Sequence, residues 1–208
     1  MIVRPIDILA LDRADPRYPP TLKTYLRDDA PAHFAALGNL DILQGRTLAL
    51  FSSVKCPGNL ILQTYDLAQS LRKRNIAVIG GFHSPMEQEC LKILLRGKQP
   101  TIICPARNIG AKMAREHAQA IEQGCLFILS PFSSKNSRIT AETAGMRNRF
   151  VAALADAVFI AYADPGGKME QLCREVIAWG KPLYTFADEA NARLIAIGAK
   201  TVSVDWTP

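Results

Sequence analysis

The chain has 208 residues, 49% of them apolar and 21% charged, and carries a net charge of +6. This is the make-up of an ordinary globular protein with material for a sizeable core. It excludes a helical membrane span, because the apolar runs are short and interrupted and none approaches the ~20 residues required.

The first residues, Met1 to Asp7, lack a basic region followed by a long apolar core, so a cytoplasmic protein is expected. Five cysteines, at 56, 90, 104, 125 and 173, are odd in number and contain no CxxC pair. They read as small buried hydrophobes in a reducing compartment, not as disulfides or a zinc site. The length suits one α/β domain, residues 47–208, with an N-terminal extension, residues 1–46, packed on it. The basic excess permits association with nucleic acid or nucleotides. It gathers in two regions, one with Arg96, Lys98, Arg107, Lys112 and Arg115, the other with Lys135, Arg138, Arg147 and Arg149.

In chain order, the extension begins with the turn-rich run Asp15-Pro16-Arg17-Tyr18-Pro19-Pro20. A short helical stretch near Leu22 to Leu26 follows, and Pro31 and Gly38 punctuate the rest. It reads as a strap over one edge of the domain, without strands of its own.

Alternation then starts: a strand at 47–51, a loop at 52–58 with two serines and Lys55, a helix at 59–74, and a strand at 76–79 ending in Gly80-Gly81. Ser84-Pro85-Met86-Glu87 is the sharpest local signal: a capping box with proline at the first helical position predicts a helix over 85–95. A strand at 101–104, a loop with Arg107 and Asn108, a helix at 112–123 and a strand at 125–129 come next. The serine-rich loop 130–137, with Lys135, either closes over a ligand or is a surface turn.

Helix 140–154 carries Arg147 on the face of Phe150, Val151 and Leu154. A guanidinium on that stripe needs an anionic partner, a carboxylate or a ligand phosphate, unless its head reaches solvent. After a strand at 157–161, the turn Asp164-Pro165-Gly166-Gly167 leads into helix 168–179. Met169, Leu172, Cys173, Val176 and Ile177 give that helix one apolar stripe, and Gly180 and Pro182 end it. A strand at 183–186, a short helix at 190–197 and a strand at 201–204 complete the chain.

Strands alternating with helices predict a doubly wound, mostly parallel sheet with helices on both faces. Ligands in such sheets bind outside the carboxyl ends of the strands. The loops expected at that edge are 52–58, 80–84, 105–110, 130–138 and 162–167. A buried strand, a glycine turn and a helix in sequence bring free N–H groups to the edge, so Gly166 and Gly167 with Lys168 form a candidate phosphate site. Glycines used only for a tight turn give the same pattern.

Catalytic and metal signatures are absent from the sequence. His33, His83 and His117 are scattered, there is no G-x-S-x-G or G-K-[ST], and no cluster has metal-ligand spacing. Neither a metal nor an organic cofactor is expected. Phe82, Phe132 and Tyr162, at loop positions, are candidates for base stacking or for plugging the edge of the core.

Tyr18-Pro19-x-x-Leu22, Pro31, Leu37-Gly38-Asn39 and Leu43 resemble the lead into the Rossmann-like domain of the DNA-processing protein A (DprA/Smf) family. Arg147-Asn148-Arg149-Phe150 and the following Val151 to Asp156 resemble its RNR helix, and the next strand, glycine turn and helix also fit. The resemblance spans about residues 15–190. There are departures. Ser52-Ser53-Val54-Lys55 stands for a Gly-Ser-Arg motif, and Gly80 to Met86 for Ser-Gly-x-Ala-x-Gly-Ile-Asp. The winged-helix domain of many members is not expected here.

The more distant LOG-type phosphoribohydrolases share the fold. Pro165-Gly166-Gly167 matches the start of their motif, but Cys173 stands where their catalytic Glu would be.

The resemblance implies a protein of DNA uptake or recombination that binds single-stranded DNA, loads a recombinase and self-associates as a homodimer. Combined with the edge loops, it gives Gly166, Gly167, Lys168, Arg147, Arg149, Ser53, Lys55, Ser84, Arg107 and Lys135 as candidate phosphate contacts. The alternatives are a small-nucleotide hydrolase, a nucleotide sensor, or a structural partner protein that keeps the fold without the site.

Overall fold

The computed structural model describes residues 8–110, 113–133 and 138–206. Nine strands form one sheet. Seven are parallel: β3 (Thr47–Phe51), β4 (Ala77–Gly80), β5 (Thr101–Ile103), β6 (Leu126–Ser130), β7 (Ala157–Ile160), β8 (Leu183–Phe186) and β9 (Lys200–Val202). The remaining two, β1 (Leu9–Asp12) and β2 (His33–Leu37), add antiparallel beyond β6, which gives the order β1-β2-β6-β5-β4-β3-β7-β8-β9.

Every residue of β3, β4, β6 and β7 is buried. Sheets covered on both faces demand such runs. Alternation along β3 separates the two faces: Leu48 and Leu50 pack with Leu60, Leu67 and Leu71 of α2 (Gly58–Leu71) and Cys90, Leu91 and Leu94 of α3 (Pro85–Leu95). Ala49 and Phe51 pack on the other face with Phe150, Val151 and Leu154 of α5 (Ala141–Leu154) and Leu172, Cys173 and Val176 of α6 (Lys168–Ala178). Between them in sequence lies α4 (Arg115–Glu122), which covers β6.

The sequence-based reading of residues 1–46 as a strap without strands is corrected by β1 and β2. These strands are four and five residues long, and only Leu11 of β1 is buried, so no alternating pattern announces them. What fixes the segment is aromatic packing. Tyr18 lies 5.5 Å from Phe34 and Phe34 lies 5.9 Å from Phe150, edge to face, so α1 (Pro20–Leu26) settles on α5.

Boundaries shift elsewhere for local reasons. The helix expected from 112 starts at Arg115, and the final short helix is a 3-10 turn at 189–191 followed by α7 (Ala192–Ala196).

Lys181, just past α6, closes the end of α5. Its ammonium donates to the carbonyls of Ala152 at 2.9 Å and Ala153 at 2.6 Å, and to that of Ala155. A cation suits the negative end of a helix, yet burial pushes this amine down to about 8. Among the described residues no helix is long and apolar enough to cross a membrane.

Candidate functional site

After β3 the chain runs through β4, β5 and β6 to one side, then returns to place β7 on the other side of β3. A gap opens outside the carboxyl ends of strands at such a reversal, because the two connecting loops leave in opposite directions. Here a crevice of ≈ 530 Å³ occupies it. Its walls come from the loop after β3 (Ser53, Lys55), the start of α3 (His83, Ser84), the turn into α6 (Asp164, Lys168) and the inner face of α5 (Arg147, Asn148).

Arg147 forms the base. It is only 6% exposed, although it carries a formal charge. Its Nε donates to Asn148 Oδ1 at 2.7 Å and its Nη1 to the Cys104 carbonyl at 2.9 Å. Among the described residues, the ion pairs involve other groups and none engages Arg147. The guanidinium fits because position 81 has no side chain: a Cβ on Gly81 would sit 1.4 Å from Arg147 Nη1. The next residue, Phe82, is buried with a φ of 45°. A bulky side chain rarely takes that left-handed conformation, and such outliers collect at binding sites.

Three carboxylates border the crevice region: Asp164 in its wall, and Glu87 and Glu170, both of which the protein itself engages. Glu87 accepts from the amides of Ser52 at 3.3 Å, His83 at 3.0 Å and Ser84 at 3.1 Å, while its own amide donates to Ser84 Oγ at 3.2 Å. This completes the expected capping box and also ties the loop after β3 to the loop after β4. Glu170, 3% exposed, accepts from the Gly166 amide at 2.9 Å, from Arg174 at 2.7 Å and from Arg193 at 3.1 and 3.2 Å. The Arg193 guanidinium, the Gly166 amide and the Arg174 guanidinium together hold the Glu170 carboxyl down at about 2.

The crevice brings together Ser53, Lys55, Ser84, Arg147, Gly167 and Lys168. It does not leave the expected amides free. Gly166 donates to Glu170 and Gly167 donates to the Asp164 carbonyl at 2.9 Å, so the glycine turn is satisfied by the protein itself. The helix start open to a ligand lies one step on: α6 has no side-chain cap, and the amides of Lys168, Met169 and Glu170 precede the first intrahelical donor, the Gln171 amide, which donates to the Gly167 carbonyl at 3.1 Å. The hydroxyl of Ser53 accepts from the Asp164 amide at 2.9 Å.

Arg149 points away from the crevice. It pairs with Asp29 at 2.9 Å and Glu175 at 2.6 Å, joining α5 to α6 and to the N-terminal segment. Residues two apart on a helix face nearly opposite ways, which separates Arg147 from Arg149. Arg107 is exposed outside the crevice lining, and its carbonyl accepts from Ser130 Oγ at 2.7 Å. Lys135 lies outside the described residues.

Gly81 and Asn148 are named by the sequence, in a glycine pair and in the Arg147-Asn148-Arg149 run, but not among its candidate contacts. A glycine pair directly after a strand is the signal that pointed to Gly81. Buried thiols at Cys90, Cys104 and Cys173 are pushed up to about 12 by burial, which fits their reading as inert hydrophobes.

A doubly wound sheet with a cation buried under the crevice at its strand reversal defines a Rossmann-like α/β protein. The sequence profile of DNA recombination-mediator protein A matches residues 10–205, and the chain belongs to that family.

Among solved structures it is similar to DNA processing protein A from Streptococcus pneumoniae (20% identity, TM-score 0.79, covering 96% of this chain and 72% of that one). It is also similar to DNA processing protein A from Helicobacter pylori, whose structure was described for its single-stranded DNA binding mode (19% identity, TM-score 0.75, 97% and 93%). The molybdenum cofactor binding protein of Rippkaea orientalis shares the fold more loosely (10% identity, TM-score 0.54, 77% and 91%). A sequence search of curated proteins returns no match.

Proposed function

We propose that the crevice binds the sugar-phosphate backbone of single-stranded DNA. Arg147 is the central phosphate contact, Lys55 and Lys168 neutralise charge at the rim, and the first-turn amides of α6 donate to a phosphate oxygen. The observation that carries this reading is a buried guanidinium at the crevice base with no carboxylate paired to it among the described residues.

An uncompensated buried charge costs several kcal/mol. A phosphate entering the crevice offsets that cost with a planar, two-point contact that guanidinium favours. Family membership and the printed subject of the Helicobacter pylori structure support the same ligand. The reading extends to a cytoplasmic homodimer that passes its single strand to a recombinase in DNA uptake or recombination, as the family resemblance implies.

Fluorescence anisotropy with a labelled oligonucleotide of about 20 bases tests it. Losing one charge-assisted contact costs about 1.5–3 kcal/mol, so Arg147→Met weakens binding about 10- to 150-fold. Arg149→Ala, which removes only an outward ion-paired group, leaves affinity unchanged. Affinity also falls with salt, by about 0.7 log–log unit per neutralised phosphate of a single strand. Thermal stabilisation by a mononucleotide but not by DNA would overturn this in favour of a nucleotide sensor, and release of free base in favour of a hydrolase.

A further inference from the structure

A second groove of ≈ 780 Å³ runs between α3 and α4, and its floor is apolar, from Phe82, Leu91, Leu95 and Ala120. Phe82 links the two spaces: its ring lines the groove, while its neighbours His83 and Ser84 line the crevice. Gln88 reinforces the link by donating from Nε2 to the His83 carbonyl at 3.1 Å.

Along α3 the polar side of the groove follows one spacing. Gln88, Lys92 and Arg96 recur every fourth residue, and Ser84, one step earlier in the same spacing, stands in the crevice wall, so one stripe runs from the helix cap to the last turn. At 1.5 Å per residue that stripe is about 18 Å long, which matches about five phosphates of a stacked strand at ~3.4 Å each.

Charge along the stripe is available to a ligand. Arg96 is exposed and enters no ion pair among the described residues. Lys92 meets Glu89 at 2.8 Å, but that pair is exposed on both sides and such pairs contribute little. Across the groove α4 presents His117, Gln119 and Gln123, with Glu116 as the opposing charge. Amides and cations around an apolar floor suit a single strand whose bases lie against the floor while its phosphates meet the rim.

We infer that the α3–α4 groove is a second binding segment for single-stranded nucleic acid, continuous with the crevice over Phe82 and His83, with Lys92 and Arg96 as its phosphate contacts. This rests on the crevice reading and extends the strand's path beyond it.

The test uses the full chain and two labelled oligothymidylates, of about 5 and about 20 nucleotides. Lys92→Glu/Arg96→Glu alters only exposed side chains. Binding of the short oligomer, held in the crevice, stays unchanged. The long oligomer loses at least about tenfold in affinity, and its log–log salt slope falls by about 1.4 units. Lys92→Arg/Arg96→Lys, which keeps the charge, retains wild-type binding.

Equal affinity and slope for the long oligomer in wild type and the glutamate variant overturn the groove assignment while leaving the crevice intact. Failure of both oligomers to bind wild type overturns the crevice reading and the groove with it. An acidic peptide that binds wild type but not the glutamate variant, with long-oligomer binding unaltered, overturns the proposal in favour of a protein partner.

Discussion

The starts of α3 and α6 stand at the same edge of the sheet, and each carries a glutamate at its third helical position, Glu87 and Glu170. Helix starts attract anions, and here the chain supplies the anion itself in both places. The two solutions differ. Ser84 caps α3, so Glu87 is free to gather backbone amides from two loops and, among the described residues, forms no ion pair. Gly167 has no side chain to cap α6, so Glu170 reaches back to the Gly166 amide and is clamped by two arginines.

Arg147 lies between these two helix starts and pairs with neither glutamate. On the proposed reading, the crevice binds through a side-chain cation more than through the helix dipoles.

The largest expected effect comes from breaking this arrangement at its centre. In Gly81→Ala the new methyl group overlaps the Arg147 guanidinium, which has to leave its place beside the Cys104 carbonyl and turn into the crevice. Overpacking of this kind costs about 1–3 kcal/mol. A chemical denaturation series measures it, and oligonucleotide affinity falls as steeply as in Arg147→Met. The double variant Gly81→Ala/Arg147→Ala recovers stability relative to Gly81→Ala alone, because the clash is gone. If the two losses simply add, Arg147 is not the group that Gly81 accommodates.

How much of this was legible beforehand follows from where the signals sit. The capping box at Ser84 to Glu87 fixed α3 to the residue, since side chains in sequence contact dictate it. The all-buried strands were visible as short apolar runs bounded by turns. The strands β1 and β2 were not, because the edge strand β1 buries only Leu11, Phe34-Ala35-Ala36-Leu37 in β2 shows no polar-apolar alternation, and their anchoring through Phe34 and Phe150 is long-range.

The site divides in the same way. The sequence placed Arg147 on the inner face of its helix, and the structure puts it there. It also drew a phosphate cradle at Gly166 and Gly167, which local pattern alone suggests. The two arginines that turn Glu170 inward come partly from α7, 23 residues downstream, and no local pattern reports that contact.

The clamp at α6 gives the next effect, a dependence on acid. Glu170 titrates at about 2 in the folded protein, below the ordinary 4.5. A group with a depressed folded pKa contributes stability above its unfolded value and loses it as pH falls through the folded one. Melting temperatures of the wild type therefore drop as pH goes from about 4.5 to about 2, over and above the general acid trend. In Glu170→Gln that extra drop disappears, and the variant is less stable than wild type at neutral pH. Parallel acid profiles would mean that the two arginines do not hold the carboxylate in solution.

The smallest effect sharpens the contrast at α3. Ser84→Ala removes the hydroxyl that accepts from the Glu87 amide at 3.2 Å, but it leaves the amides of Ser52, His83 and Ser84 free to donate to the Glu87 carboxylate. The cap is worth about 1 kcal/mol, so stability falls by about that amount while the loops at the crevice wall stay tied. Oligonucleotide affinity then changes less than about twofold, because the hydroxyl serves the helix. The reverse pattern, unchanged stability with a tenfold weaker complex, would make Ser84 a ligand contact and α3 a helix start open to phosphate. The distinction between the two ends of the crevice would then vanish.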